Sequence, residues 1–456
     1  MLKFRCLSQI KTKEKFFMTS LYDTTLESNK YLKINFNGGD LSSDAGLLLI
    51  KEFICKIGLD TLIEQHFQTN DKTIRIHKDK ENLLQKIYQQ LAGYFADNDS
   101  DELTSDPVFT SLLDKDSLAS QPTMSRFFNR MDDVTLMQMD WILYLLRKRI
   151  YSIQKPKMVL FDIDSTLFDT FGSQEGEGFN YHYSNHGYHP LLCYDGLTGD
   201  LLKALLRPGE VYTSTDCCEF MKPLLMEYLD EYPDVTLYLR GDSGFACPEL
   251  FELLETHGTS YAIRLKANDT LNRLAESLEN ELNEITVRNK VDYAVVYGEF
   301  RYAAATWGQS RRIVVKVEKP AGQITFMYTF IVTNMELKPE DIIRFYCNRG
   351  KMENFIKESK SGFDMDTMSS HSMAVNSNRM QISVLVYNIF NWFRRLVLPK
   401  SMRKFRIDTV RLKLLKIAAK MVHSARYITF KLCSSSPYKQ VFIETLNNIR
   451  LLPKLE

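Results

Sequence analysis

The chain has 456 residues, 44% apolar and 25% charged, which is the profile of a soluble globular protein with room for two or three domains. Disordered and fibrous architectures are excluded. The formal charge is only +1, so a nucleic-acid-binding surface would have to be local rather than spread over the molecule.

Residues 1–35 read as an N-terminal tail. MLKFRCLSQIKTKEKFF lacks the apolar core of a signal peptide, and Met18 is an alternative start. Residues 36–152 are helical by pattern, with amphipathic stretches such as ENLLQKIYQQLAGYF. Within them SQPTMSRFFNRM offers Ser120 as an N-cap, Pro122 in the first turn, and Arg126 and Arg130 four apart on one face. Two readings fit: the recognition helix of a helix-turn-helix in a DNA-binding region, or an ordinary bundle helix.

From 153 to 268 the pattern becomes α/β. An apolar run, Met158 to Phe161, leads into Asp162-Ile163-Asp164, as in a buried strand whose C-terminal end carries acids. Residues i and i+2 of a strand share a face, so both carboxylates point the same way. GSQEGEGFNYHYSNHGYHP follows, with His182, His186 and His189 spaced temptingly for zinc. Its glycines and tyrosines favour a loop and hairpin making polar or DNA-backbone contacts instead. Strands LLCYDGLTG and LLKALLRPG, a helix over 217–231, strand VTLYLRGDSG ending near Asp242, helix CPELFELLETHG and strand SYAIRLKAN complete this part.

Residues 269–335 form a β-rich insertion with Pro320-Ala321-Gly322 as a turn, and helices return over 336–398. KPEDIIRFYCNRGKMENFIKESKSGF predicts a helix on which Tyr346, Arg349, Glu353 and Lys360 share one stripe. A stripe of that polarity is not core. The apolar stretch Ile382 to Leu398 is interrupted by Asn388, Asn391, Arg394 and Arg395, and falls short of a membrane span. Residues 399–456 read as a basic C-terminal helical region. Between Arg394 and Lys431 stand twelve Lys or Arg against one acid, Asp408, a patch that faces DNA or simply water. The basic and apolar positions of 410–432 recur at helical spacing. Eight cysteines without a C-x-x-C pair suit a reducing compartment and do not suggest zinc.

Asp162-x-Asp164-x-Thr166 fits two chemistries: a haloacid-dehalogenase-like phosphatase with Asp162 as nucleophile, or a nuclease that holds metal on carboxylates. The phosphatase needs a second acid four residues beyond Asp242, where Ala246 stands. The nuclease needs one acid from elsewhere, and Glu353 supplies it.

With Tyr346, Arg349, Glu353 and Lys360 in that spacing, the chain resembles the DDE transposases of bacterial insertion sequences, in the branch with a Tyr-x2-Arg-x3-Glu-x6-Lys signature. DIDST, GDSGF, the YAIRLKAN strand, the β insertion and SQPTMSRFFNRM extend the resemblance over most of the chain. It implies an α/β fold with an RNase H-like catalytic core interrupted by a β-rich insertion, flanked by helical N- and C-terminal regions. It also implies Asp164, Asp242 and Glu353 as catalytic and metal-binding acids, with Asp162 the alternative first acid. Two Mg2+ ions would serve, with Mn2+ able to substitute, and no nucleotide cofactor. By the same resemblance Tyr346, Arg349 and Lys360 hold transposon-end phosphates and a distorted base. Trp307 and Tyr328 either stack on a flipped base or belong to the core. The implied partners are double-stranded DNA, both inverted-repeat ends and target, and a second copy of the chain in a homodimer. No membrane is involved, and the implied location is the bacterial cytoplasm, on the nucleoid when bound to DNA. A remnant that binds DNA without cutting it stays open beside the active enzyme.

Overall fold

The structure is a computed structural model that describes residues 23–455 apart from 72, 290 and 324. Met18 and most of the N-terminal tail lie outside the described residues. The first helical block comprises α1 (Leu47–Ile57), α2 (Leu59–His66), α3 (Asp79–Ala92), α4 (Pro107–Leu113), α5 (Gln121–Phe128) and α6 (Asp133–Ile153). Local chemistry sets its boundaries. Gly58, at φ 67°, takes the left-handed turn that ends α1 and begins α2. Asp106 caps α4 ahead of Pro107, and Asp132 closes a capping box on α6.

Eight strands make one mixed sheet: β1 (Met158–Ser165), β2 (Leu191–Asp195), β3 (Leu201–Leu205), β4 (Thr236–Gly241), β5 (Ser260–Leu265), β6 (Ala294–Tyr302), β7 (Arg311–Lys319) and β8 (Met327–Thr333). Their spatial order is β6-β7-β8-β5-β4-β1-β2-β3. β1, β4 and β5 run parallel to one another, while β2, β3 and β8 run antiparallel to their neighbours. The segment after β5 therefore extends the sheet rather than leaving it. Helices α7 (Cys217–Glu231), α8 (Pro248–Thr256) and α9 (Glu276–Asn289) lie on one face. There Val159, Phe161 and Ile163 bury with Leu224, Leu250 and Val315. The alternate residues of β1 face the other way, toward α10 (Pro339–Cys347) and α11 (Gly350–Phe363).

Helix α12 (Met373–Leu396) is the link between the two halves of the molecule. It packs on α3 and α6 and donates from Asn388 and Asn391 to the β2–β3 turn. It is buried on nearly all sides, which explains its weak amphipathic pattern. Among the described residues no helix is long and apolar enough to cross a membrane.

Two sequence expectations fail locally. The helix expected over 338–363 is two helices, because Arg349 N donates to Tyr346 O at 2.9 Å and Met352 N to Arg349 O at 2.8 Å, the tighter i to i+3 pattern. The helix expected through 410–432 is instead a short helical turn followed by a hairpin, Ala419–Ser424 with Tyr427–Leu432. Its first strand pairs with Leu41–Ser42, almost four hundred residues earlier in the chain, a contact that no local periodicity signals.

Candidate active site

The site starts from register. β1 and β4 pair in parallel with Arg240 opposite Asp162, so Asp242, two residues on, comes level with Asp164 at the strand tips. The even positions of both strands share one face. At the lower level Asp162 is fully buried and locked to Arg240 by two contacts of 2.7 Å. Arg240 also donates to Phe345 O at 2.6 Å, near the end of α10. Gly196 makes room for this pair: a Cβ there would fall 2.2 Å from Asp162 Oδ2.

One level up, Asp164 is partly buried and meets Arg349, Nη2 to Oδ2 at 2.9 Å. Burial pushes its carboxyl up to about 6, Arg349 opposes the rise and Asp242 adds to it. Asp242 turns its Oδ1 to the N–H of Gly244 at 2.9 Å, capping the short turn at Ser243–Phe245. Burial raises the Tyr346 phenol, with Arg349, Asp242 and Asp164 all acting on it. Lys360 is farther along α11 and donates to Leu167 O at 2.8 Å, just past the end of β1.

Four of the predicted residues, Asp164, Asp242, Tyr346 and Arg349, are thus together. Glu353 is not with them. It is exposed and takes part in no hydrogen bond or ion pair among the described residues. Among these residues no three His, Cys, Asp or Glu side chains gather closely enough to hold a metal ion. The physical reason lies at the junction of the two helices, where the tight turn advances the chain faster per residue than an α-helix and moves the third stripe position, Glu353, off the line of the first two.

Trp307 and Tyr328 pack against the core on the face opposite Asp164. Trp307 lies edge-on to Phe251 at 5.2 Å, and Tyr328 stacks on Phe330 and binds Glu279. Neither ring faces the aspartates. Arg130 is engaged with Asp79 at 3.0 Å, while Arg126 is exposed on α5. The three histidines part ways: His182 against the Tyr183 ring, His186 on Glu177, and His189 on Val211 O.

Sequence reasoning missed Tyr183. It stands on the hairpin Gly178–Asn180/Asn185–Tyr188, and its hydroxyl donates to Ser165 O at 3.3 Å. Burial and the charges of Asp164 and Asp242 raise its phenol to about 12, so it borders both acids. The nearest signal was the Gly-rich segment itself, which returns the chain to the tip of β1.

A family model described as transposase DDE domain group 1 matches residues 24–454. The chain belongs to that family. Among curated proteins, none matches this transposase. Among solved structures, the piggyBac transposase synaptic complex with hairpin DNA is similar over 82% of this chain and 80% of its own, at 14% identity and a TM-score of 0.41. The phosphatase reading falls with the family match and with the geometry, since an Asp162 fully buried against Arg240 has no access to a substrate.

Proposed function

We propose that this DDE transposase is of the bacterial insertion-sequence kind with the Tyr-Arg-Glu-Lys signature, cutting DNA at the inverted-repeat ends of its element and joining the freed 3′-hydroxyls to target DNA. The observation that carries the reading is the meeting of Asp164 and Asp242 at the tips of adjacent parallel strands, beneath Tyr346 and Arg349. Strands β3-β2-β1-β4-β5 read as an RNase H-like core, with β6 to β8 as the insertion.

The two aspartates suit a hard divalent cation such as Mg2+: both offer oxygen, and burial, with Asp242 adding to it, raises the Asp164 carboxyl, a cost that positive charge relieves. When bound, such an ion supplies charge against the phosphate and acidifies the attacking oxygen. Glu353 is the proposed third acid. It is four residues beyond Arg349, roughly one helical turn, so loss of the Arg349–Asp164 contact and a repacked junction would bring it toward the pair. Arg349 then turns from carboxylate to DNA phosphate, which its planar fork fits equally well. Lys360 adds a point charge along the same strand of DNA. The working form is a homodimer across two ends, without a nucleotide cofactor.

The test is 3′-end cleavage of a duplex carrying the element's inverted repeat, with Mg2+. Asp242→Ala and Glu353→Ala should abolish cutting and keep end binding. Cutting by Glu353→Ala would remove that residue from the triad, and binding without cutting by the unaltered chain would identify a remnant.

A further inference from the structure

The basic segment near the C-terminus is mostly used up inside the protein. Arg394 pairs with Glu358, Arg395 with Asp200, and Lys416 with Asp44. Arg411 is buried against the carbonyls of Gln90, Leu91 and Gly362. Arg403 and Arg406 donate to Leu398 O and Asn354, and Lys413 lies over the rings of Phe405 and Tyr438. Five cations remain exposed with no hydrogen bond, ion pair or ring contact among the described residues: Lys400, Lys404, Lys420, Arg426 and Lys431.

Three of those five belong to the hairpin Ala419–Ser424/Tyr427–Leu432. Lys420 and Lys431 are directly opposed across it, so their side chains share a face. Like charges in that position destabilise a ribbon. A single lysine would guard an exposed edge strand; the second, facing it, adds repulsion without adding protection. Arg426 is in the turn beside Tyr427, which is 75% exposed, and no acid occurs between Asp408 and Glu444. The root of the hairpin is anchored: Ser111 of α4 contacts Met421 Sδ at 3.7 Å, and α4 precedes α5 with its exposed Arg126.

We infer that this hairpin is a docking ribbon for the phosphate backbone of duplex DNA, with Lys420, Arg426 and Lys431 as the contacting cations. The inference rests on the transposase reading. Polyanionic DNA is the partner that turns an opposed lysine pair from a cost into a gain, because each neutralised phosphate releases condensed counterions. The contact carries no sequence information and serves orientation.

The experiment measures binding of a short random-sequence duplex as a function of salt, without divalent cations. The log–log slope changes by about 0.9 per phosphate neutralised, so Lys420→Gln/Arg426→Gln/Lys431→Gln should lower its magnitude by roughly 2 to 3. A control variant, Lys30→Gln/Lys222→Gln/Arg288→Gln, removes the same charge from exposed positions elsewhere and should leave the slope in place. Circular dichroism and thermal unfolding establish that both variants fold. An unchanged slope in the hairpin variant, or an equal fall in the control, overturns the inference while leaving the transposase reading intact. A hairpin variant that keeps its slope but loses self-association would assign the ribbon to a second copy instead. Absence of DNA binding by the unaltered chain would overturn both.

Discussion

The guanidinium of Arg349 lies 2.9 Å from the carboxylate of Asp164 and 3.2 Å from the carbonyl of Ile163, so the start of α11 is fastened to the tip of β1. One cation thereby balances two acids that approach each other at low dielectric. It also occupies Asp164 while Glu353 faces solvent, which makes the ion pair the element that separates the observed arrangement from a three-acid one.

Arg349→Ala should therefore lower stability in the absence of divalent cations by roughly 1–3 kcal/mol above pH 6, since a buried partner is left uncompensated. The loss should shrink below pH 6, where Asp164, whose carboxyl is raised to about 6, takes up a proton and no longer needs the guanidinium. Added Mn2+ should raise the melting temperature of the variant more than that of the unaltered chain. Thermal unfolding over pH and metal concentration measures all three, and equal metal responses would refute the competition.

Asp162 and Arg240 form the structural counterpart one level below. Arg240→Ala strands a fully buried carboxylate and detaches Phe345 O, so a loss of about 3–5 kcal/mol is expected, seen as a lower urea midpoint. Gly196→Ala should act through the same pair, because its Cβ overlaps Asp162 Oδ2. Near-normal stability in both variants would mean that the pair contributes little.

The strands of the sheet were legible because each alternates apolar and polar residues or ends in turn chemistry, and Asp164 and Asp242 were legible because acids at the end of an apolar strand have no core role. Three features were not. The break at Asn348–Arg349 keeps right-handed helical dihedrals, and Gly350 directly after it is a residue that helices also tolerate, so the pattern reads on as one helix. The hairpin at 419–432 carries a pattern compatible with two periods, and its pairing with Leu41–Ser42 decides between them. Tyr183 reaches the acids through a loop, where position follows from closure of the chain rather than from periodicity.

Tyr183 gives a prediction of its own. Its phenol lies within the field of Asp164 and Asp242, and burial is the largest cause of the raised Asp164 carboxyl. Tyr183→Ala should admit water and lower the Asp164 carboxyl of the metal-free protein in an NMR pH titration, whereas Tyr183→Phe, which loses only a 3.3 Å hydrogen bond, should leave it where it is. Coincident titrations for all three chains would show that the ring does not tune the site.

Asp195, at the end of β2, tests the electrostatics away from Asp164 and Asp242. It is fully buried, its oxygens accept from Leu160 N, Leu197 N and Thr198 Oγ1, and burial raises its carboxyl to about 6. An acid whose folded pKa lies above its unfolded value binds protons on folding. Its ionisation therefore opposes the fold, fully so above about pH 6 and hardly at all below about pH 4. Asn at this position keeps the two backbone contacts on one oxygen and can donate to Thr198, whose hydroxyl is free to rotate. Asp195→Asn should thus gain stability relative to the unaltered chain as pH rises through this window, by at most ~3 kcal/mol at pH 7, with no gain at pH 4. A pH-independent difference in chemical unfolding would place the carboxylate's pKa near its ordinary value and contradict the buried, raised group described here.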